Sequence, residues 1–113
     1  MWIASKYGFY SIKYEEGKYY HVRGRKYDDL KNLIQAAKVD TVIEQWDRAD
    51  YTFRVLVNDK EFSKIMSTLQ ASIDYPNFKQ KISETDNQTD KLNAYHDIWS
   101  EMFYYGRKLN KVK

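Results

Sequence analysis

The chain has 113 residues, with 19 Lys and Arg against 16 Asp and Glu, and a net charge of +3. That length favours one domain able to bury about two-thirds of the surface its unfolded chain exposes. It contains no cysteine, which excludes disulfides, thiolate metal sites and cysteine nucleophiles and fits a reducing compartment. No apolar stretch approaches the ~20 residues of a membrane helix, and Lys6 comes too early for a secretory leader, so a soluble cytoplasmic protein is expected.

Residues 1–5 are a short apolar run anchored by Trp2 and Ile3. Lys6-Tyr7-Gly8 either turns that run back against Phe9 or carries it on through a bulge. Residues 9–25, FYSIKYEEGKYYHVRGR, read as a β-hairpin with Glu15-Glu16-Gly17 as a three-residue loop and Gly17 in its left-handed position. That loop sets Tyr14 opposite Lys18, Lys13 opposite Tyr19, Ile12 opposite Tyr20 and Ser11 opposite His21. Opposed residues share a face and faces alternate along each strand. One face then collects Tyr10, Ile12, Tyr14, Tyr20 and Val22; the other collects Phe9, Ser11, Lys13, Tyr19, His21, Arg23 and Arg25.

Beyond the hairpin the period changes. Leu30, Leu33, Ile34 and Ala37 recur at helical spacing, predicting a helix over 27–38, with Asp28 and Asp29 in the first turn where the helix dipole favours them. Residues 41–57 read as a second hairpin around a four-residue loop, Asp47-Arg48-Ala49-Asp50. This register opposes Trp46 to Tyr51, Glu44 to Phe53 and Val42 to Val55. It puts Ile43, Gln45, Thr52, Arg54 and Leu56 on the less apolar side and sends Glu44 to the other. Asn58 with Glu61 three residues on is a capping box, opening a helix with Phe62, Ile65, Met66, Leu69 and Ile73 at helical spacing. It ends before Pro76. Residues 77–88 are polar, with partial helix or mobility expected. Thr89 or Asp90 then caps a last helix to about 105, with Leu92, Tyr95, Trp99, Met102 and Phe103 on a side read as core. The expected fold is α+β: a two-layer antiparallel sheet of two hairpins and four to five strands, with two or three helices, loosely ferredoxin-like. Residues 1–106 would form one domain, and 107–113 a basic tail.

The basic excess is uneven. Residues 1–40 hold eight Lys and Arg against five acids, 41–75 four against six, and 76–113 seven against five. Gly8, Phe9, Ile12 and Tyr14 fall where the RNP1 motif of RNA-recognition domains has similar residues. Tyr7, Tyr10 and Ser11 depart from it, so a half-buried aromatic strand is the better reading. Nothing points to catalysis. His21 and His96 are distant, His96-Asp97 lacks metal-ligand spacing, no serine has an elbow context, and no glycine-rich phosphate loop occurs. No cofactor or metal is implied, and the protein is expected not to be an enzyme.

The strings MWIASKYGFYSI, HVRGR, DYTFRVLV, IDYPNF and YHDIW resemble a group of small bacterial proteins. These open with Met-Trp, continue with Gly-Phe-Tyr/Phe-Ser and a Val-Arg-x-Arg strand, and carry Asp-Tyr twice. The resemblance covers most of the chain. It implies no catalytic residue, and it sets Arg23, Arg25 and Arg54 in motif positions.

Two functions stay open. One is a binding module whose basic, aromatic-laced sheet face takes a nucleic acid or other polyanion. Lys13, His21, Arg23, Arg25 and Arg54 would be its charge contacts, and Phe9 and Tyr19 its stacking contacts. The other is a regulator that binds an acidic protein surface, such as a phage-borne inhibitor of a host defence or CRISPR complex.

Overall fold

The computed structural model describes residues 1–110. The chain divides into two compact units, Met1–Pro76 and the residues from Asn77 on. The first is a five-stranded antiparallel sheet in the order β1-β2-β3-β5-β4, with α1 and α2 packed on it. Its strands are β1 (Trp2–Ala4), β2 (Phe9–Glu15), β3 (Tyr19–Gly24), β4 (Glu44–Gln45) and β5 (Phe53–Val57). The helices are α1 (Tyr27–Ala37) and α2 (Asp59–Ala71). The α+β expectation thus holds.

The chain turns from β1 to β2 through Lys6-Tyr7, closed by Ser5 N–H donating to Gly8 O at 2.9 Å. Gly8 is glycine for a packing reason: a Cβ there would sit 2.4 Å from Asp29 Cβ and Cγ. Asp29 is buried at the start of α1. It accepts the Phe9 N–H at 3.2 Å, and its backbone oxygen accepts the Tyr10 hydroxyl at 2.6 Å. Helix α1 is thereby fastened to the sheet by buried hydrogen bonds.

Both hairpin registers differ from expectation, with opposite consequences. In the first, Ser11 opposes Arg23, Ile12 Val22, Lys13 His21, and Glu15 Tyr19. The loop is therefore Glu16-Gly17-Lys18, with Gly17 at φ 74°. Glu15 joins the strand because its carboxylate binds His21 Nε2 at 2.9 Å and Lys18 Nζ at 3.2 Å. The shift of two residues leaves every side chain on its predicted face. In the second hairpin Glu44 opposes Arg54 and Gln45 opposes Phe53, and Trp46 N–H donates to Thr52 O at 2.7 Å. The loop is longer by one residue, since Tyr51 is buried rather than paired with Trp46. A shift of one reverses the face of β4, so Glu44 lies on the Arg54 side.

The apolar face of the sheet supplies Tyr10, Ile12, Val22, Val55 and Val57 to a core shared with Leu30, Leu33 and Ala37 of α1 and Ile65 and Leu69 of α2. Tyr20 stacks on Phe62 at 4.0 Å between centroids. The capping box that opens α2 is present in both directions, with Glu61 N–H to Asn58 Oδ1 at 2.8 Å and Asn58 N–H to Glu61 Oε1 at 2.9 Å.

In the second unit, α3 (Phe78–Ser83) and a 3-10 turn (Thr89–Lys91) lead into α4 (Leu92–Asn110). Asn77 caps α3, accepting the Gln80 N–H at 2.8 Å. Ile82, Gln88 and Tyr95 are buried, and Phe78 meets Tyr95 at 5.1 Å. Helix α4 continues through Gly106 to Asn110, where the sequence suggested a tail; residues 111–113 of that tail lie outside the described residues. Trp99, Met102 and Phe103, expected in the core, are exposed. Phe78, the one ring of six-residue α3, meets Tyr95, and the turns of α4 beyond it carry their apolar stripe to the surface. No helix among the described residues is long and apolar enough to cross a membrane.

Candidate functional site

The face of the sheet away from α1 and α2 is polar and aromatic. Its organising feature is one row across all five strands, set by the pairings of Trp2 with Ser11, Ser11 with Arg23, Arg23 with Arg54, and Arg54 with Glu44. The next row contains Lys13, His21 and Leu56. The predicted residues Phe9, Lys13, Tyr19, His21, Arg23 and Arg54 therefore do share one face. Arg25, just beyond β3, turns over the Tyr51 ring.

Arg54 is the centre of this face and is only 3% exposed. Its guanidinium carbon lies 3.8 Å from the Trp46 ring centroid, and Trp46 in turn donates its indole N–H to Glu44 Oε1 at 3.0 Å. Arg54 Nη1 meets His21 Nδ1 at 3.1 Å, while His21 Nε2 meets Glu15 Oε1 at 2.9 Å. A guanidinium can only donate, so Nδ1 accepts and the imidazole carries its proton on Nε2, donating to Glu15. The chain Arg54–His21–Glu15 is thus fixed in direction. The hydrogen bond from His21, followed by that from Lys18, holds the Glu15 carboxyl below its ordinary value.

Two more guanidinium groups share a second ring. Arg23 lies 5.0 Å and Arg25 4.2 Å from the Tyr51 centroid. Arg23 also donates from Nε to Ser11 O at 3.2 Å and from Nη2 to Ser11 Oγ at 2.7 Å. Arg25 Nη1 donates to Asp50 O at 2.8 Å and Oδ1 at 3.3 Å. Burial and then the neighbouring charge of Arg23 push the Arg54 pKa down, and Glu44 opposes them weakly. Among the described residues, no carboxylate oxygen lies within 4.0 Å of the Arg54 guanidinium, and its Nε has no partner.

Two of the predicted contacts are therefore placed where a ligand does not touch them directly: His21 and Arg54 are both buried. Lys13 and Arg25 are exposed, and Arg23 and Phe9 are half-buried. Tyr19 keeps 36% of its surface and meets His21 edge-on at 5.8 Å. Comparison of the chain with protein-family models, with curated proteins and with solved structures finds no match. The face must accordingly be read from its own chemistry.

Sequence reasoning missed Trp2, Trp46 and Tyr51. Trp2 is 75% exposed on the polar side of β1, and Trp46 is 39% exposed over Arg54. A five-residue loop in the second hairpin would have brought Trp46 beside Arg54 by parity alone. The beds are specific in kind: aromatic rings hold guanidinium planes flat, so their remaining donors point in fixed directions.

Proposed function

We propose that the Met1–Pro76 unit is a non-enzymatic binding module whose polar sheet face takes a nucleic acid or similar polyanion. The observation that carries this reading is the Arg23–Arg54 pair, directly opposed across β3 and β5, with the buried member lacking any carboxylate within 4.0 Å among the described residues. Like charges facing one another across strands cost stability. A buried charge perturbed by desolvation and by a charged neighbour marks a functional-site candidate. Arg23, Arg25 and Lys13 would contact phosphates, with Arg54 as a fixed charge beneath them. The exposed rings of Tyr19, Trp46 and Trp2 would accept bases, as aromatic platforms do for single strands.

The test is fluorescence anisotropy with a labelled single-stranded oligonucleotide over a series of salt concentrations. Arg23→Ala combined with Arg25→Ala should raise Kd at least ~10-fold. It should also flatten the dependence of log K on log salt by about 1.4, since each single-strand phosphate contact contributes ~0.7. Equal binding by the parent and the double variant, or no binding by the parent at low salt, would overturn the reading.

A further inference from the structure

We infer that the free edge of β1, with the groove between it and the end of α2, is a docking site for an extended peptide segment of a partner protein. The segment adds to the sheet as an antiparallel sixth strand and sets one apolar side chain in the groove. This inference does not rest on the polyanion reading. Strand β1 closes one side of the sheet, and its ladder to β2 fixes which backbone groups are used. Met1 N donates to Ile12 O at 2.9 Å and Ile12 N–H to Met1 O at 2.8 Å. Ser5 and Gly8 exchange the same two bonds at 2.9 and 3.3 Å. In an antiparallel pair such positions alternate with ones that turn their N–H and C=O away from the partner. Ile3, opposite Tyr10, therefore bonds inward. Trp2 and Ala4, both exposed, present their N–H and C=O groups outward, and among the described residues no strand takes them.

Sheet edges are ordinarily guarded by charge, proline or a bulge. The far edge, β4, has two residues and carries Glu44. Strand β1 reads Trp-Ile-Ala and has none of these guards. Its own groups name the occupant: donors and acceptors spaced along an extended chain are matched by another extended chain.

The groove names the side chain. Opposed residues share a face, so the peptide residue opposite Ile3 points to the helix side, where Ile3 packs against the core. There a groove of about 450 Å³ lies between β1 and Met66, Leu69 and Ile73, within the ~300–1,000 Å³ of pockets that enclose ligands. Among the described residues no charged side chain lines it, and Lys6 and Asp74 beside it are paired with each other at 2.9 Å. It therefore takes an uncharged apolar side chain such as leucine. A second copy does not meet this requirement. Two-fold pairing of β1 with itself about Ile3 sets opposite it another Ile3, already packed in its own core, and leaves the groove unfilled.

Fluorescence anisotropy on the full chain with the labelled, capped peptide Lys-Thr-Thr-Leu-Thr-Thr-Lys tests this; the lysines keep the probe off the basic face. It should bind at least ~10-fold tighter than the same peptide with aspartate in place of leucine. N-methylation of either threonine beside the leucine removes a donor facing β1 and should weaken binding at least ~10-fold, whereas N-methylation of the leucine, whose N–H points to solvent, should be tolerated. In the protein, Ala4→Pro removes an outward N–H that no ladder bond uses, as edge strands allow. Ile73→Glu, at a position 68% exposed, sets a charge at the groove. Each should weaken binding of the leucine peptide at least ~10-fold with far-UV circular dichroism unchanged. No binding of that peptide up to ~1 mM overturns the proposal. So does equal binding of the leucine and aspartate peptides, or tolerance of N-methylation on the flanking threonines. A dimer of the parent in sedimentation velocity that Ala4→Pro abolishes also overturns it, since the edge would then belong to a second copy.

Discussion

Replacing Arg54 by methionine sets the largest opposed terms in this structure against each other. Arg54 is 3% exposed, holds one hydrogen bond to His21, lies on the Trp46 ring, and faces Arg23 across the strand pair. Burying its charge costs several kcal/mol even after relaxation. Against this stand a charge-assisted hydrogen bond of about 1.5–3 kcal/mol and a desolvated cation–π contact of about 2 kcal/mol. Methionine keeps the length, gains a sulfur–aromatic contact of about 0.3–1.5 kcal/mol on Trp46, and removes the repulsion with Arg23. It leaves His21 Nδ1 without a donor, at about 1–3 kcal/mol unless water reaches it. The terms nearly cancel, with a remainder on the stabilising side, as in other replacements of buried charge by apolar residues of similar volume. Arg54→Met should therefore be neutral to about 2 kcal/mol more stable by urea unfolding at pH 7. At roughly 4 °C per kcal/mol for a chain of this size, Tm would rise by up to ~8 °C. The same variant should bind the oligonucleotide more weakly, because the fixed charge under Arg23 is gone. A loss of more than ~2 kcal/mol at constant m-value would refute this account, since Arg54 would then be a structural keystone.

Gly8→Ala should destabilise by about 1–3 kcal/mol, read as a lower urea midpoint, because its Cβ would lie 2.4 Å from Asp29 Cβ and Cγ, atoms held by the buried bonds of α1. A midpoint equal to the parent's would mean the Lys6-Tyr7 turn yields at no cost. The Glu15 carboxyl has its pKa lowered in the fold, by His21 first and Lys18 second, so its contribution is present above the ordinary carboxylate range and is lost as pH falls through the folded value. Glu15→Gln should then lose less stability than the parent between about pH 5 and pH 3, and parallel acid limbs would show that the Glu15 bonds are not formed in solution.

Legibility from sequence followed parity. Face assignment in the first hairpin survived an error of two residues in register, because alternation has a period of two and Tyr10, Ile12 and Val22 had to face the core together. The second hairpin had no such check. β4 is only two residues long, Val42 is exposed, and the loop count alone decided whether Glu44 pointed toward Arg54 or away. The helices α1 and α2 were readable because their apolar spacing and the Asn58–Glu61 box are local. Burial of the α4 stripe was not readable: a periodic apolar face states that something should cover it, not whether the cover lies in the same chain. Nor could sequence show that Arg54 sinks beneath Trp46, since that depends on a loop residue meeting a strand residue across a one-residue change of register.

The unusual aromatic content, 17% of residues, resolves into three kinds of packing that answer differently to conditions. Tyr10 and the Tyr20–Phe62 stack complete the core under α1 and α2. Trp46 and Tyr51 are beds for guanidinium groups. Trp99 and Phe103 stack on each other at the surface of α4. Salt separates the last two. Binding that releases counterions from a polyanion weakens steeply as salt rises. Contact between apolar helix faces is governed by area removed from water and holds or strengthens in excluded salts such as sulfate. The two surfaces can therefore be measured independently in the intact chain.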